Sequence, residues 1–307
     1  MQVATLTERV PVLKVLATQR NFTLLWTGQF VSLLGDGVFR VAMPWAVLQL
    51  TGSVLAMGAV FIASLAPSLL FMLFGGVAAD RLPRRAIMLW SDTGRAVVVA
   101  VIAALALLHI LQFWHLLTLS LLFGLADSFF QPAYMAVVPQ LVDERGLLQP
   151  ANSLIQFGNL ISRVIGPPLG ALFVASWAGV AGAFGLDAFS FVFSAGCLLL
   201  LRLPDASASS KETPDAASGA WRGIIADIRE GMRFVAGIPW LWITIAIAAA
   251  SNITYSVPFV SVLPKLVSLQ YGAGPWHFGL LIAADGLGSL IARPSRSRSC
   301  ARVGGAW

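Results

Sequence analysis

The chain alternates between long apolar runs and short polar breaks. Apolar stretches fall at roughly residues 22–46, 54–79, 86–108, 115–138, 150–175, 180–202 and 239–263, and a shorter one begins at 277–292. The hydrocarbon core of a bilayer takes about 20 apolar residues of helix. Each of the first seven runs therefore predicts a membrane-spanning helix, and the eighth falls short of a full crossing. Pro44, Pro67, Pro132 and Pro167 lie inside these runs. Proline is tolerated in membrane helices because neighbouring groups satisfy the freed backbone carbonyls. The pattern predicts an all-α membrane protein with seven or eight transmembrane helices.

The polar breaks predict orientation. One set of loops holds Arg9, Lys14 and Arg20, then Arg81, Arg84 and Arg85, then Arg145, then Arg202, Lys211, Arg222, Arg229 and Arg233. The opposite loops, 47–53, 109–114 and 176–179, hold no Lys or Arg, and loop 264–276 holds only Lys265. Basic loops stay in the cytoplasm, so the N-terminus is expected there, in a multi-pass protein of the plasma (inner) membrane.

Composition narrows the function. Of 307 residues, 58% are hydrophobic and 11% charged, against about 25% charged in an average soluble domain. The pI near 10.0 does not point to nucleic acid, because the basic residues sit between apolar spans, where they face an anionic leaflet. Cys197 and Cys300 suggest no disulfide or metal framework. No GxxxxGK[ST] motif occurs, so no nucleotide motor is expected. Glu8, Arg9, Lys14 and Arg20 break up the first twenty residues, which argues against a cleavable signal peptide. No enzyme activity, metal or cofactor is expected.

Four segments are expected. Residues 1–202 form a six-helix bundle. Residues 203–238 hold a linker rich in Ala, Ser and Pro, then an amphipathic stretch, WRGIIADIREGMRFVAGI, suited to the cytoplasmic surface. Residues 239–292 begin a second bundle. Residues 293–307 are a basic polar tail. The abrupt shift near Arg293 predicts a truncation or a reading-frame change; the alternative is a short eighth helix with a cytoplasmic basic tail.

The six helices resolve into two triplets of opposite direction. Asp36-x-x-Phe39-Arg40 in the first helix matches Asp127-x-x-Phe130-Gln131 in the fourth, and Asp92 in the third matches Asp187 in the sixth. Inverted repeats have this form.

Ionisable groups inside spans cost about 2.5–3.5 kcal/mol each on insertion scales, so they are candidates for function. Asp36 and Arg40 lie one turn apart on one face and form either a proton or substrate site or a packing pair. Asp127 has no basic residue one turn away; it must find a partner on another helix, hold a proton or face water. Arg163 in the fifth helix is a candidate partner for either aspartate, or for an anionic substrate group. Asp92 and Arg95, near the start of the third helix, are expected to tie that helix to the preceding loop. Asp187, placed toward the outer end of the sixth helix, and Asp285 are weaker candidates. His109 and His115 are expected to be solvated.

The loop before Asp92 reads GGVAADRLPRR, and it resembles the signature loop of the major facilitator superfamily, Gly-x-x-x-Asp-Arg-x-Gly-Arg-Arg. Gly76, Asp80, Arg81, Arg84 and Arg85 match, and Pro83 replaces the usual glycine. GPPLGA in the fifth helix, with Gly166, Pro167 and Gly170, resembles the Gly-Pro-x-x-Gly-Gly motif of antiporter branches. Gly and Pro together permit a kink and a close helix contact. ADSFFQPA and QPANSL resemble the drug:proton antiporter branch that includes macrolide and enterobactin exporters. The basic motif many antiporters carry in the fourth helix is missing from residues 115–126.

The resemblance implies the six-helix N-terminal bundle of the major facilitator fold plus the start of the second bundle. It implies a secondary active transporter, exporting amphiphilic small molecules and driven by a proton gradient rather than a cofactor. Asp80 and its loop would gate the conformational change by meeting a helix of the second bundle that lies beyond this chain. The partners implied are the lipid bilayer, protons, an amphiphilic substrate, and a second copy or a missing C-terminal half. The competing expectations are a non-transporting truncated product or half-bundle interaction protein, and a lysolipid flippase on the same fold.

Overall fold

Each apolar run folds into one helix, bounded by residues that end helices for identifiable reasons. The computed structural model describes residues 15–16, 18–142, 147–201, 233 and 236–291. Helix α1 spans Arg20–Thr51 and stops at Gly52, whose left-handed backbone (φ 62°) turns its N–H back onto the Leu48 carbonyl. Ser53 caps α2, Val54–Arg81, by accepting from the Ala56 N–H. Pro83 precedes α3, Arg84–Leu107. Gln112 and His115 form a reciprocal cap at the start of α4, Phe113–Leu141, so His115 is a capping group as well as a turn residue. Then come α5, Leu148–Ala175, and α6, Gly179–Leu200. Helix α7, Pro239–Lys265, runs into a π-helical turn, Leu266–Gln270, and α8 covers Pro275–Ile291.

Among the described residues there is no strand, and six helices, α1 to α6, are long and apolar enough to cross a membrane. At 1.5 Å per residue, the 17 residues of α8 reach about 25 Å, less than the ~30 Å hydrocarbon core. The expected linker and amphipathic helix at 203–232 and the tail at 293–307 lie outside the described residues.

The helices pack in the order α2, α4, α3, α6, α1, α5 and α8, with α7 resting on α2 and α1. This order carries the repeat. Exchanging α1 with α4, α2 with α5 and α3 with α6 turns the α2–α4 contact into α5–α1 and the α3–α4 contact into α6–α1, and leaves α3–α6 unchanged. The closest approaches obey the same rule. A Cβ at Gly75 of α2 would lie 2.6 Å from the Ser128 carbonyl oxygen of α4, and one at Gly166 of α5 would lie 2.7 Å from the Gly37 Cα of α1. Gly75 and Gly166, Gly37 and Ser128, and Asp36 and Asp127 all share one 91-residue offset. Asp92 and Asp187 are each the ninth residue of their helix.

The signature loop is tighter than its sequence suggests. Helix α2 continues to Arg81, and only Leu82 and Pro83 separate it from α3. Arg84 donates to the Ala136 carbonyl of α4 (2.8 Å), and Arg85 donates to the Leu198 (2.8 Å) and Leu199 (2.6 Å) carbonyls at the end of α6. A cation placed on the last carbonyls of a helix satisfies orphan acceptors and the helix dipole together. These two arginines therefore bind their own bundle. Nothing lies within 4 Å of a Cβ built at Gly76, so the glycine that packs is Gly75.

Candidate functional site

The site is built outward from α3. Asp92 and Arg95 stand one turn apart and are buried, at 0% and 4% exposure. They were expected to brace the loop; they point into the bundle instead, because the inner faces of α4 and α6 pack directly against this face of α3. One Asp92 oxygen accepts from Arg95 Nη2. The other accepts from Ser194 Oγ of α6 (2.6 Å), which in turn accepts from Gln29 Nε2 of α1 (3.0 Å). Arg95 Nη1 donates to Asp127 Oδ1 of α4 (3.1 Å). The guanidinium is sandwiched between the rings of Phe130 and Phe191, 4.5 and 4.6 Å from their centroids. Each such face contributes about 2 kcal/mol when desolvated. One hydrogen-bonded chain thus links α1, α6, α3 and α4 through the middle of the bundle.

Asp127 finds a partner on another helix, one of the three outcomes its sequence context left open, and the partner is Arg95 and not Arg163. Arg163 is exposed on α5, which packs on α1 and α8, whereas α3 and α4 share a seam. Asp36 is half-buried, and no ion pair joins it to Arg40 among the described residues; Arg40 is exposed. The expected self-neutralising pair is therefore replaced by a wider field. The charges acting on Asp36 are Arg95 first, then Asp127, Arg40 and Asp92.

Asp187 is the residue that sequence reasoning undervalued. It was placed toward the outer end of α6, yet it is fully buried, against Gly35 of α1. Its Oδ2 has no hydrogen-bond partner, and the same is true of Arg95 Nε. The available signal was its position matching that of Asp92.

The GPPLGA stretch makes α5 two-sided. Gly166 and Gly170 meet Gly37 and Val38 of α1, and Pro167 and Ala171 meet Gly279 of α8. Between α1, α4 and α5 lies a cavity of about 70 Å³, lined by Trp26, Phe30, Gln131, Tyr134, Gln156 and Asn159 among others. Gln131 is one turn from Asp127 on the same face of α4. Aromatic faces and uncharged amides line the cavity, at a volume well below the about 300–1,000 Å³ of a small-molecule pocket. Among the described residues no group of His, Cys, Asp and Glu could hold a metal.

The chain matches known proteins along most of its length. A family model described as a transmembrane secretion effector matches residues 15–305. The multidrug efflux pump Tap of Mycolicibacterium fortuitum is 32% identical over 291 residues, which cover 93% of this chain and 66% of Tap. Macrolide efflux protein A of Streptococcus pyogenes is 26% identical over 275 residues, covering 88% of this chain and 64% of its own. The enterobactin exporter EntS of Salmonella typhimurium is 28% identical over 284 residues, covering 91% and 64%. The chain spans about two thirds of the length of the curated relatives it matches.

Proposed function

We propose that this chain, which belongs to the transmembrane secretion effector family of the major facilitator superfamily, works in the export of amphiphilic small molecules from the cytoplasm across the plasma membrane, driven by the proton gradient. The observation that carries the reading is the ion pair inside the bundle. Asp127 keeps 34% of its side chain exposed while Arg95 is held at 4%. A carboxylate with one side on a buried guanidinium and the other open is suited to exchange a proton and report the exchange to a packed network. The aromatic and amide groups near it, Trp26, Phe30, Gln131 and Asn159 among them, offer contacts for a guest once the small cavity between them widens.

The test is dye efflux from a drug-sensitive bacterium stripped of its own pumps and carrying the gene with its natural downstream DNA. The proposal expects efflux that a protonophore abolishes. Efflux indifferent to the protonophore, or no efflux of any amphiphilic dye, would overturn it. In the same cells Asp127→Asn is expected to reach the membrane but lose proton-driven efflux, because an amide keeps the shape of the acid yet cannot bind and release a proton. A variant that still concentrates dye outward at wild-type rates makes Asp127 structural.

Orientation follows the basic loops, with the N-terminus in the cytoplasm. Single cysteines at 82–85 should then react only with cytoplasmic reagent, and those at 109–114 only with external reagent. Labelling of the opposite sidedness would reverse the direction assigned to transport.

A further inference from the structure

We propose that Asp187 is a proton-storing carboxyl group, separate from the exchange site at Asp127, filled and emptied through Asp36. This rests on the proton-driven reading above.

Asp187 and Asp92 occupy matching places in the two triplets, but their surroundings differ. Asp92 has Arg95 on one oxygen and Ser194 on the other. Asp187 has no cation and only a weak hydroxyl donor. Its Oδ1 receives a long contact, 3.4 Å, from Ser190 Oγ, which makes its better bond, 2.7 Å, to the Asp187 main-chain carbonyl. Its Oδ2 accepts nothing, at 0% exposure. An ionised carboxylate buried with one weak donor is costly, whereas the neutral acid is far cheaper to bury.

The charges around it point the same way. Helix α6 packs against α3, α1 and α5. From α3 come Asp92 and Arg95, and Arg95 is already committed to Asp92 and Asp127. From α1 come Asp36 and, one turn on, Arg40, which is exposed. The one charged residue of α5 is Arg163, also exposed. The charges that act on Asp187 are Asp36 and then Arg95. Of these aspartates, Asp92 and Asp127 hold the one buried guanidinium, while Asp36 and Asp187 have no ion pair among the described residues; of those two, Asp187 is the one at 0% exposure.

The route out is short. A Cβ at Gly35 would collide with Ser190 Oγ and lie 2.5 Å from Asp187 Oδ1, so the bare backbone of α1 closes directly on the carboxyl. The next residue is Asp36, half-buried, and its charge is the first to act on Asp187; in this proposal it takes the place between Asp187 and water. In the emptying step the Asp187 carboxylic acid passes its proton to the Asp36 carboxylate, leaving an Asp187 carboxylate. Asp36 then releases the proton to water. Refilling reverses both transfers.

Infrared difference spectroscopy on the purified 307-residue chain in lipid tests this, alongside thermal unfolding. Wild type is expected to show the carbonyl band of a protonated carboxylic acid at neutral pH. Asp187→Asn is expected to lose that band and to unfold at no lower a temperature, since the amide reproduces the neutral acid's shape. Survival of the band in Asp187→Asn overturns the proposal. So does a drop in unfolding temperature or a failure to fold, because either means the native group is an ionised structural partner. Dye efflux separates this inference from the reading beneath it. If wild type exports with proton drive and Asp187→Asn exports equally, the storage role fails alone. If wild type lacks proton-driven efflux but the band is lost in the variant, the exporter reading fails and the proton site stands.

Discussion

Arg95→Met should leave almost no folded protein in the membrane. The substitution keeps length and apolar character but removes the one cation that Asp92 and Asp127 share. Asp92, at 0% exposure, would retain a single hydroxyl donor, Ser194. Removing one partner of a buried ion pair costs about 3–5 kcal/mol, and the two aromatic faces lose about 2 kcal/mol each. Against a total stability of about 5–15 kcal/mol, that sum is a large part or all of what holds the bundle. Arg95→Lys keeps the charge but not the planar fork that holds Asp92, Asp127 and two rings at once, and should recover only part of the loss. Adding Asp92→Asn to Arg95→Met removes the stranded buried charge and should restore folded protein. Size-exclusion profiles of fluorescent fusions would show this, as aggregate for the single variant and a restored monodisperse peak for the double. A wild-type profile from Arg95→Met would mean that the network contributes little.

Gly166→Leu should have the next largest effect. At this crossing α1 and α5 touch backbone to backbone. A Cβ at Gly166 would stand 2.7 Å from the Gly37 Cα and 3.2 Å from the Leu34 carbonyl oxygen. Neither neighbour is a flexible side-chain tip, so the helices themselves must separate. Overpacking costs about 1–3 kcal/mol where side chains can shift, and occasionally more; here the whole seam opens, including the Gly170–Val38 contact one turn on. Gly76→Ala is the matched control. It lies in open space inside α2 and should be neutral or slightly stabilising, by up to about 1 kcal/mol of helix propensity. Thermal unfolding in detergent reads both. Equal midpoints for Gly166→Leu and wild type would remove the glycine seam as the reason that α1 and α5 stay together.

These two residues were unequally legible in the sequence. Gly166 stood in a motif whose composition already implied a close helix contact. Arg95 was read as loop support, because a residue's place on its own helix says which face it shares but not which helix will cover that face. Asp127 shows the same division. Its lack of a basic neighbour one turn away left a partner on another helix, a proton or water as the outcomes, and the partner the sequence offered was Arg163. Only the α3–α4 seam selects Arg95.

The helices are legible in the linear text, because a bilayer imposes length and apolar character on every span, and glycine, serine and proline mark the breaks. The repeat is legible there too, through residues matched by their place in each helix, Asp36 with Asp127 and Asp92 with Asp187. Tertiary structure alone decided which buried charges meet. Partner choice depends on the order in which helices pack, and α2, α4, α3, α6, α1, α5 is not the order of the chain. That packing pairs Asp92 and Asp127 with one guanidinium, leaves Arg163 at the surface, and seals Asp187 against Gly35 with an oxygen that nothing satisfies. The physical reason is desolvation: whether a carboxylate in a membrane helix is cheap or costly depends on the atoms that replace its water, and those come from helices distant in the chain.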